Sequence, residues 1–374
     1  HTAINNIVTG NDVGLQQQSG HTPYPGDGDQ NNLADTYFGR GNSPLTCGNI
    51  VSPNTLSNTI DTRNVGVVGG QVTNTTSLES FCTIQDAIDD AQTLNGHILA
   101  IAAGTYNERV TVTKQLTLDG VGEGSTILDG TGLAGTGNGI TLNTGITNVT
   151  IKDLTVRYYA GATPNTSAGI YGIGGNNNLT VTDVDLAYNI GGSGFYANGP
   201  IDNVLMNNVD AHGHTNVNGA ARGIVIWNGH KSNITITNCE VYDNNCCGIE
   251  LQDGSSSAIN ISDNDIHDNW DNGIGIVGLD GTTGANLVDD NTLTDNGRFG
   301  IEIKNPNGNG TNTVISNNDV TQSASFVSLR SSEVRDIAGI AVFRRGLTGS
   351  NVDVPNGVRV INNIVSGYVQ DNGA

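Results

Sequence analysis

Between Asn233 and Gly254 the chain reads NITITNCEVYDNNCCGIELQDG, and the pattern returns before and after with small changes. One unit holds an apolar pair, a two-residue gap, a second apolar pair, an Asp-Asn turn and Gly-Ile-x-Leu. Such units open at Asn148, Asn178, Asn203, Asn233, Ile259, Asn286, Thr313 and Val358. A period of about 25 to 30 residues without an internal helix pattern predicts one strand-turn-strand coil per repeat. Coils of that kind stack about 4.8 Å apart. In register, Val184, Val209, Cys239, Asn264, Asn291, Asn318 and Asn363 share one position, and Asn264, Asn291 and Asn318 are evenly spaced. Inward asparagines so placed are expected to bond to one another and to turn backbone, because buried polar groups need partners. Ile249, Ile274 and Ile301 each follow their marker by ten residues, and Ile340 follows after an insertion.

Composition narrows what such an array can be. With 52 glycines, 14% charged and 5% aromatic residues, the chain suits many short strands joined by tight turns, not a helical bundle. The net charge of −21 argues against nucleic acid and anionic membrane surfaces as partners and is compatible with Ca²⁺. No apolar run is long enough to span a bilayer, so no membrane insertion is expected, and an extracellular or cell-surface location is. The cysteines Cys47, Cys82, Cys239, Cys246 and Cys247 include no CxxC, which argues against structural zinc. Cys47 and Cys82 are the expected disulfide, and Cys239 falls at a core position as a small apolar residue.

Residues 1–64 read as an N-terminal extension, a coil-like strand segment followed by Pro/Gly/Asn/Asp-rich loop, and residues 65–374 as the coil array. Within the array, TIQDAIDDA predicts a short helix near 83–91 with Ile84, Ala87, Ile88 and Ala91 on one face. Such a helix is expected to cap an open solenoid end. Strand runs Ile98–Ala102 and Arg109–Thr113 bracket an expected turn over residues 103–106. Near the start, Ile4–Gly10 reads INNIVTG; near the end, Ile361–Gly367 reads INNIVSG. The near-copy suggests that Ile4, Ile7 and Val8 of one molecule complete a coil edge formed by Ile361, Ile364 and Val365 of the next. That contact is heterologous and builds filaments.

The helix TIQDAIDDA, the run AIAAGTYNERVTV, the turn QLTLDGVG and the coils ending GIELQ, GIGIV and GIEIK resemble the right-handed parallel β-helix, or pectin-lyase-like, superfamily over roughly residues 80–370. The resemblance implies an all-β fold: a right-handed parallel β-helix solenoid with a short N-terminal capping helix and an irregular N-terminal extension. It implies no single activity, since that fold carries lyases, hydrolases, epimerases, adhesins and structural proteins. The RxPxxR-like stretch of pectate lyases, the NTD, GHG and RIK of polygalacturonase-like hydrolases and the DPHE of alginate epimerases are missing from the chain; only Asp289-Asp290 matches a family element.

On a Gly-Ile-x-Leu-x strand each x is expected to point outward. One outward column is Tyr171, Tyr196, Val225, Glu250, Gly275, Glu302 and Ala341; a second includes Asn198, Trp227, Gln252, Val277, Lys304 and Phe343. Tyr171, Tyr196, Trp227, Gln252 and Lys304 are candidate glycan contacts. Glu250 and Glu302, about 9.6 Å apart by coil spacing, are the catalytic pair if the protein is an enzyme, near the upper separation of inverting glycosidases. Against this stands a solvated face on which Lys304 neutralises Glu302. Asp243, Asp268 and Asp295 form an acidic column that Ca²⁺ would bridge; alternatively they serve the turn backbone and face water. No motif requires a cofactor. The leading expectation is a secreted, non-enzymatic surface protein that assembles head-to-tail with itself. The other is a polysaccharide-active enzyme or glycan-binding adhesin using the outward face.

Overall fold

The computed structural model describes residues 71–162, 167–308, 312–326, 337–344 and 357–369, together with the backbone of five short strands between Ile7 and Asp61. The chain forms two compact units, residues 1–104 with 113–121, and residues 105–112 with 122–374.

In the first unit, Val72–Asn74 pairs antiparallel with Ser80–Phe81 and with Ile98–Ile101, and Thr117–Asp119 pairs parallel with Ile98–Ile101. The helix is Ile84–Asp89. Thr83 is its N-cap, with Oγ1 accepting from the Asp86 N–H at 3.0 Å. Ile84, Ala87 and Ile88 are buried as expected, but the helix ends before Ala91, which is exposed. The Asp90 carboxylate ends it by accepting from the Gln92 and Thr93 N–H groups. The expected turn over 103–106 is instead a strand, Gly104–Tyr106, in keeping with the extended preference of Thr105 and Tyr106. Cys82 is disulfide-bonded, while its expected partner Cys47 lies outside the described residues. The backbone of Ile7–Val8 pairs parallel with Ile50–Val51.

The second unit is a parallel β-helix. One face is a ladder of strands that includes Val110–Val112, Ile140–Leu142, Ile170–Gly172, Phe195–Asn198, Ile224–Trp227, Ile249–Gln252, Ile274–Val277, Phe299–Lys304 and Ala338–Phe343, each parallel to the next. The other runs from Thr126–Asp129 through Val149–Arg157, Leu179–Ala187 and Ile201–His212. It then continues as paired short strands such as Lys231–Thr237 with Glu240–Tyr242 and Ser256–Ser262 with Asp265–His267.

The corners explain the abundance of Asn and Asp. Asn148, Asp153 and Tyr158 all have positive φ, and so do Asn178, Asp183 and Tyr188, and Asn233, Asn238 and Asp243, at φ between 53° and 59°. Left-handed backbone thus recurs every five residues, with four extended residues between. Most L-residues resist that conformation by about 1–2 kcal/mol, and Asn and Asp tolerate it through local hydrogen bonds. Side chains between corners alternate in and out, and this puts Ile234, Ile236, Val241, Ile249 and Leu251 in the core.

Inside the coils run two polar ladders. In the first, Asn264 Nδ2 donates to Asn291 Oδ1, Asn291 to Asn318 and Asn318 to Asn363, each at 2.8 Å. Each Nδ2 also donates to a carbonyl, of Ile236, Ile261 and Val288 respectively. Each backbone N–H donates to the next asparagine's Oδ1. The expected asparagine ladder is therefore present, and Cys239 extends it as a buried free thiol whose backbone N–H donates to Asn264. Five residues further along each coil stands a second ladder, Asn244 to Asn269 to Asn296, bonded at 2.9 Å per step. His214 occupies the coil before Asn244 in this column.

Candidate functional site

The Gly-Ile-x-Leu column is in the expected register: Tyr171, Tyr196, Val225, Glu250, Gly275, Glu302 and Ala341 pair in sequence. Its environment differs from the expectation. Val225, Glu250, Glu302, Gln252 and Lys304 are all buried, with Glu302 at 0% exposure. Glu250 is ion-paired through Oε2 to Arg222 Nε, and its Oε1 accepts from Gln252 Nε2 at 2.8 Å. The Arg222 guanidinium lies 5.0 Å over the Trp227 ring. Burial alone would make Arg222 easier to deprotonate, but the ion-paired Glu250 holds its charge firmly. Glu302 is ion-paired to Lys304 at 2.6 Å and accepts from Asn272 Nδ2 at 2.7 Å. Tyr171 and Tyr196 pack at 5.8 Å with Ala168 and Val225. Both carboxylates are thus neutralised in dry ion pairs. Alternation along the strand points a side chain away from the core, but leaves open whether chain or water meets it there.

A second constellation lies on the other face. Asp185, Asp210, Glu240 and Asp265 pair in register in four successive coils. Two residues along, Ala187, His212, Tyr242 and His267 do the same. The signal in the sequence is a repeated acid-x-ring tripeptide, Asp210-Ala-His212, Glu240-Val-Tyr242 and Asp265-Ile-His267, which lies outside the Gly-Ile strands. The rings form a continuous stack. Tyr158 and Tyr188 are 5.6 Å apart, Tyr188 meets His212 edge-on at 4.9 Å, His212 stacks on Tyr242 at 4.6 Å, and Tyr242 on His267 at 4.9 Å. Because the faces of His212, Tyr242 and His267 cover one another, a ligand meets ring edges, nitrogens and a hydroxyl along that part of the stack.

Carboxylates and imidazoles on this face are joined. His212 Nε2 lies 3.1 Å from Asp185 Oδ1. A carboxylate only accepts, so Nε2 carries the hydrogen of this bond. His267 spans Glu240 at 3.2 Å and Asp268 at 2.9 Å. Burial draws its pKa down, but the hydrogen bonds to Asp268 and Glu240 prevail and raise it. Desolvation, then repulsion by Glu240 and Asp185, raises the Asp210 carboxyl. Glu123 is pushed up to about 7 by desolvation and then by Asp210, Asp185, Asp183 and Asp153. The face therefore holds a carboxyl that exchanges a proton near neutrality and an imidazole oriented by a carboxylate, the materials of general acid–base chemistry.

The expected metal column coincides with a line of corners. Asp243, Asp268 and Asp295 all sit at left-handed corners, at φ 53°, 53° and 54°. Asp268 bonds to His267, and Asp295 accepts from the Ser323 N–H and hydroxyl. Among the described residues, the groups whose donor atoms converge within 4.8 Å are Glu240, Asp265 and His267, and Cys246, Cys247 and Asp271. Neither is the all-oxygen shell that Ca²⁺ takes. Of the expected assembly residues, Ile361 is half-buried and Ile364 and Val365 are 63% and 47% exposed, while Ile4 and the side chains of Ile7 and Val8 lie outside the described residues. No helix among the described residues is long and apolar enough to cross a membrane.

A family model described as "right handed beta helix region" matches residues 117–286. The periplasmic alginate epimerase AlgG is 12% identical at a TM-score of 0.46, covering 84% of this chain and 68% of its own. The A-module of the Azotobacter vinelandii mannuronan C-5 epimerase AlgE4 is 15% identical at 0.36, covering 81% and 95%. The Dettilon tailspike protein is 12% identical at 0.32, covering 67% of this chain and 55% of its own. No curated protein sequence matches the chain.

Proposed function

We propose that this chain, a right-handed parallel β-helix, binds an extracellular polysaccharide along the face built from Asp185, Asp210, Glu240 and Asp265 with His212, Tyr242 and His267. The observation that carries this reading is the register of the two columns, which repeats one hydrogen-bonding set in successive coils. Carboxylates accept from sugar hydroxyls, and ring nitrogens and phenols offer both donors and acceptors. A polymer with a repeating hydroxyl pattern matches a protein surface that repeats. Four carboxyl groups in register, with Glu123 beside them, give the face a negative potential, so a neutral or amino-bearing glycan suits it and a polyuronate does not. The Asp185-oriented His212 and Glu123 supply proton transfer if the bound glycan is also transformed.

Titration calorimetry against a panel of neutral, amino-bearing and uronate polysaccharides tests this. His267→Ala, at the half-exposed end of the stack, is expected to weaken glycan binding by about tenfold or more, or about 1.4 kcal/mol, while the buried His212 acts by holding the stack. Binding confined to polyuronates, or affinity unchanged in His267→Ala and Asp210→Asn, would overturn it. Glu250→Gln is expected to act through stability and not through affinity.

Self-assembly is the second reading. The exposed Val360, Ile364, Val365 and Val369 favour it, an apolar cluster at the last described coil. The INNIVTG segment near the start of the chain is the occupant whose pattern matches that coil. Light scattering is expected to show polymers that vanish when residues 1–20 are deleted; identical monomers before and after deletion would remove this reading.

A further inference from the structure

Cys246 and Cys247 are consecutive, both are buried, and their Sγ atoms stand 2.7 Å apart. They precede Gly248 and the strand Ile249–Gln252, so they lie in the bend that leads to Glu250, the partner of Arg222. With Asp271 they bring three donor atoms within 4.8 Å of one another. Two kinds of chemistry suit such a group, a thiophilic metal ion or a sulfur–sulfur bond, and distance separates them. Zinc–sulfur bonds of about 2.3 Å in a tetrahedral shell hold two sulfurs roughly 3.7 Å apart. The observed approach is about 1 Å too close for that and lies nearer to a covalent bond of about 2.05 Å. The disulfide at Cys82 shows independently that the chain is compatible with oxidising surroundings.

We propose that Cys246 and Cys247 are a modification site, closing into a disulfide between adjacent residues. The step is thiol–disulfide exchange with a disulfide oxidant before the coil closes over the pair. The thiolate of one cysteine attacks the oxidant, forms a mixed disulfide and releases one oxidant thiolate. The second cysteine's thiolate attacks the first cysteine's sulfur, forms the intramolecular bond and releases the other oxidant thiolate. The two cysteines are oxidised by two electrons, the oxidant is reduced to two thiols, and the two cysteine protons end on them. A bond between neighbours closes no chain loop, so it adds almost nothing through loop entropy. Its effects are local. It fixes the backbone ahead of Gly248 and withdraws both sulfurs from metal binding.

The test uses the full chain secreted into oxidising medium, denatured with an alkylating agent and no reductant, then digested. The peptide carrying Cys246 and Cys247 is expected to be unlabelled and about 2 Da lighter than the dithiol, and to take two labels only after reduction. Two labels without reduction would overturn the proposal. So would one equivalent of zinc in the native mass, lost to a chelator, with both thiols then free. Cys246→Ser is expected to leave Cys247 labelled without reduction. Labelling is done in denaturant, so this control is readable whether or not the variant folds.

Discussion

Asn291→Ala is expected to be among the most damaging single substitutions in the chain, costing about 3 kcal/mol or more. Asn291 Oδ1 receives both the Asn264 backbone N–H and Asn264 Nδ2, and its own Nδ2 serves Asn318 Oδ1 and the Ile261 carbonyl. Alanine leaves the Asn264 N–H and the Ile261 carbonyl buried with those bonds gone, at about 1–3 kcal/mol for each orphaned group. It also leaves a gap where packing is dense. Asn317→Ala is the control. Asn317 is an exposed corner residue at φ 55° that donates to Asp289 Oδ1 at 2.9 Å, and its loss is expected to cost about 1–2 kcal/mol, chiefly through backbone strain, since the lost bond is open to water. Calorimetric melting of the two variants separates these accounts. Equal losses would mean that the corners, and not the ladder, hold the coils in register.

The second large effect is acid lability centred on His214. This residue occupies the asparagine column but cannot do all that asparagine does. Its Nδ1 accepts the Asn189 N–H at 3.1 Å, while its Nε2 is buried without a hydrogen-bond partner. Desolvation, reinforced by His212, lowers its pKa to about 3. Between pH 3 and about 6.5 the unfolded chain binds a proton there and the folded chain does not. Its contribution to stability is therefore intact above pH 6.5 and is lost progressively as pH falls toward 3, by several kcal/mol at about 1.4 kcal/mol per unit. His214→Asn is expected to flatten that acid limb. Some stability at neutral pH is given up in exchange, because the imidazole fills space that Gly194 leaves for it: a Cβ there would meet Nε2 at 2.6 Å. Melting temperatures at pH 7.5 and 4.5 report the difference. An acid limb that is the same in both proteins would exclude His214 as its source.

Much of the architecture can be read from particular residues. Evenly spaced asparagines at 264, 291 and 318 set the coil register, and Ile249, Ile274 and Ile301 set the facing strand. A local pattern is enough there, because each coil touches mainly its neighbours. The site was harder for a physical reason. Whether Glu250 meets water depends on how Arg222 of the preceding coil and Gln252 of its own strand close over it, and the in-out pattern of a strand does not encode that. Asp243, Asp268 and Asp295 draw the eye as a metal column, yet their positive φ accounts for them as corners. The same emphasis hides the asparagine after each, Asn244, Asn269 and Asn296, which forms the second ladder, and the acid-x-ring tripeptides upstream. His214 was visible in the sequence as one of several histidines; only the ladder shows that it stands in for an asparagine.

The first ladder steps evenly along the sequence from Asn264 to Asn291 to Asn318, but the chain between Asn318 and Asn363 is much longer. That last rung is still made at 2.8 Å, the same length as the two before it. Asn363 thus arrives in phase although a longer stretch of chain precedes it. Closing a longer excursion costs little, about 0.6 kcal/mol for each doubling of length. The scaffold behaves as a ruler with fixed graduations and free margins. Foreign peptides grafted into such an interval should be displayed at a pitch set by the host, and coils could be duplicated to lengthen the display without redesigning its interior.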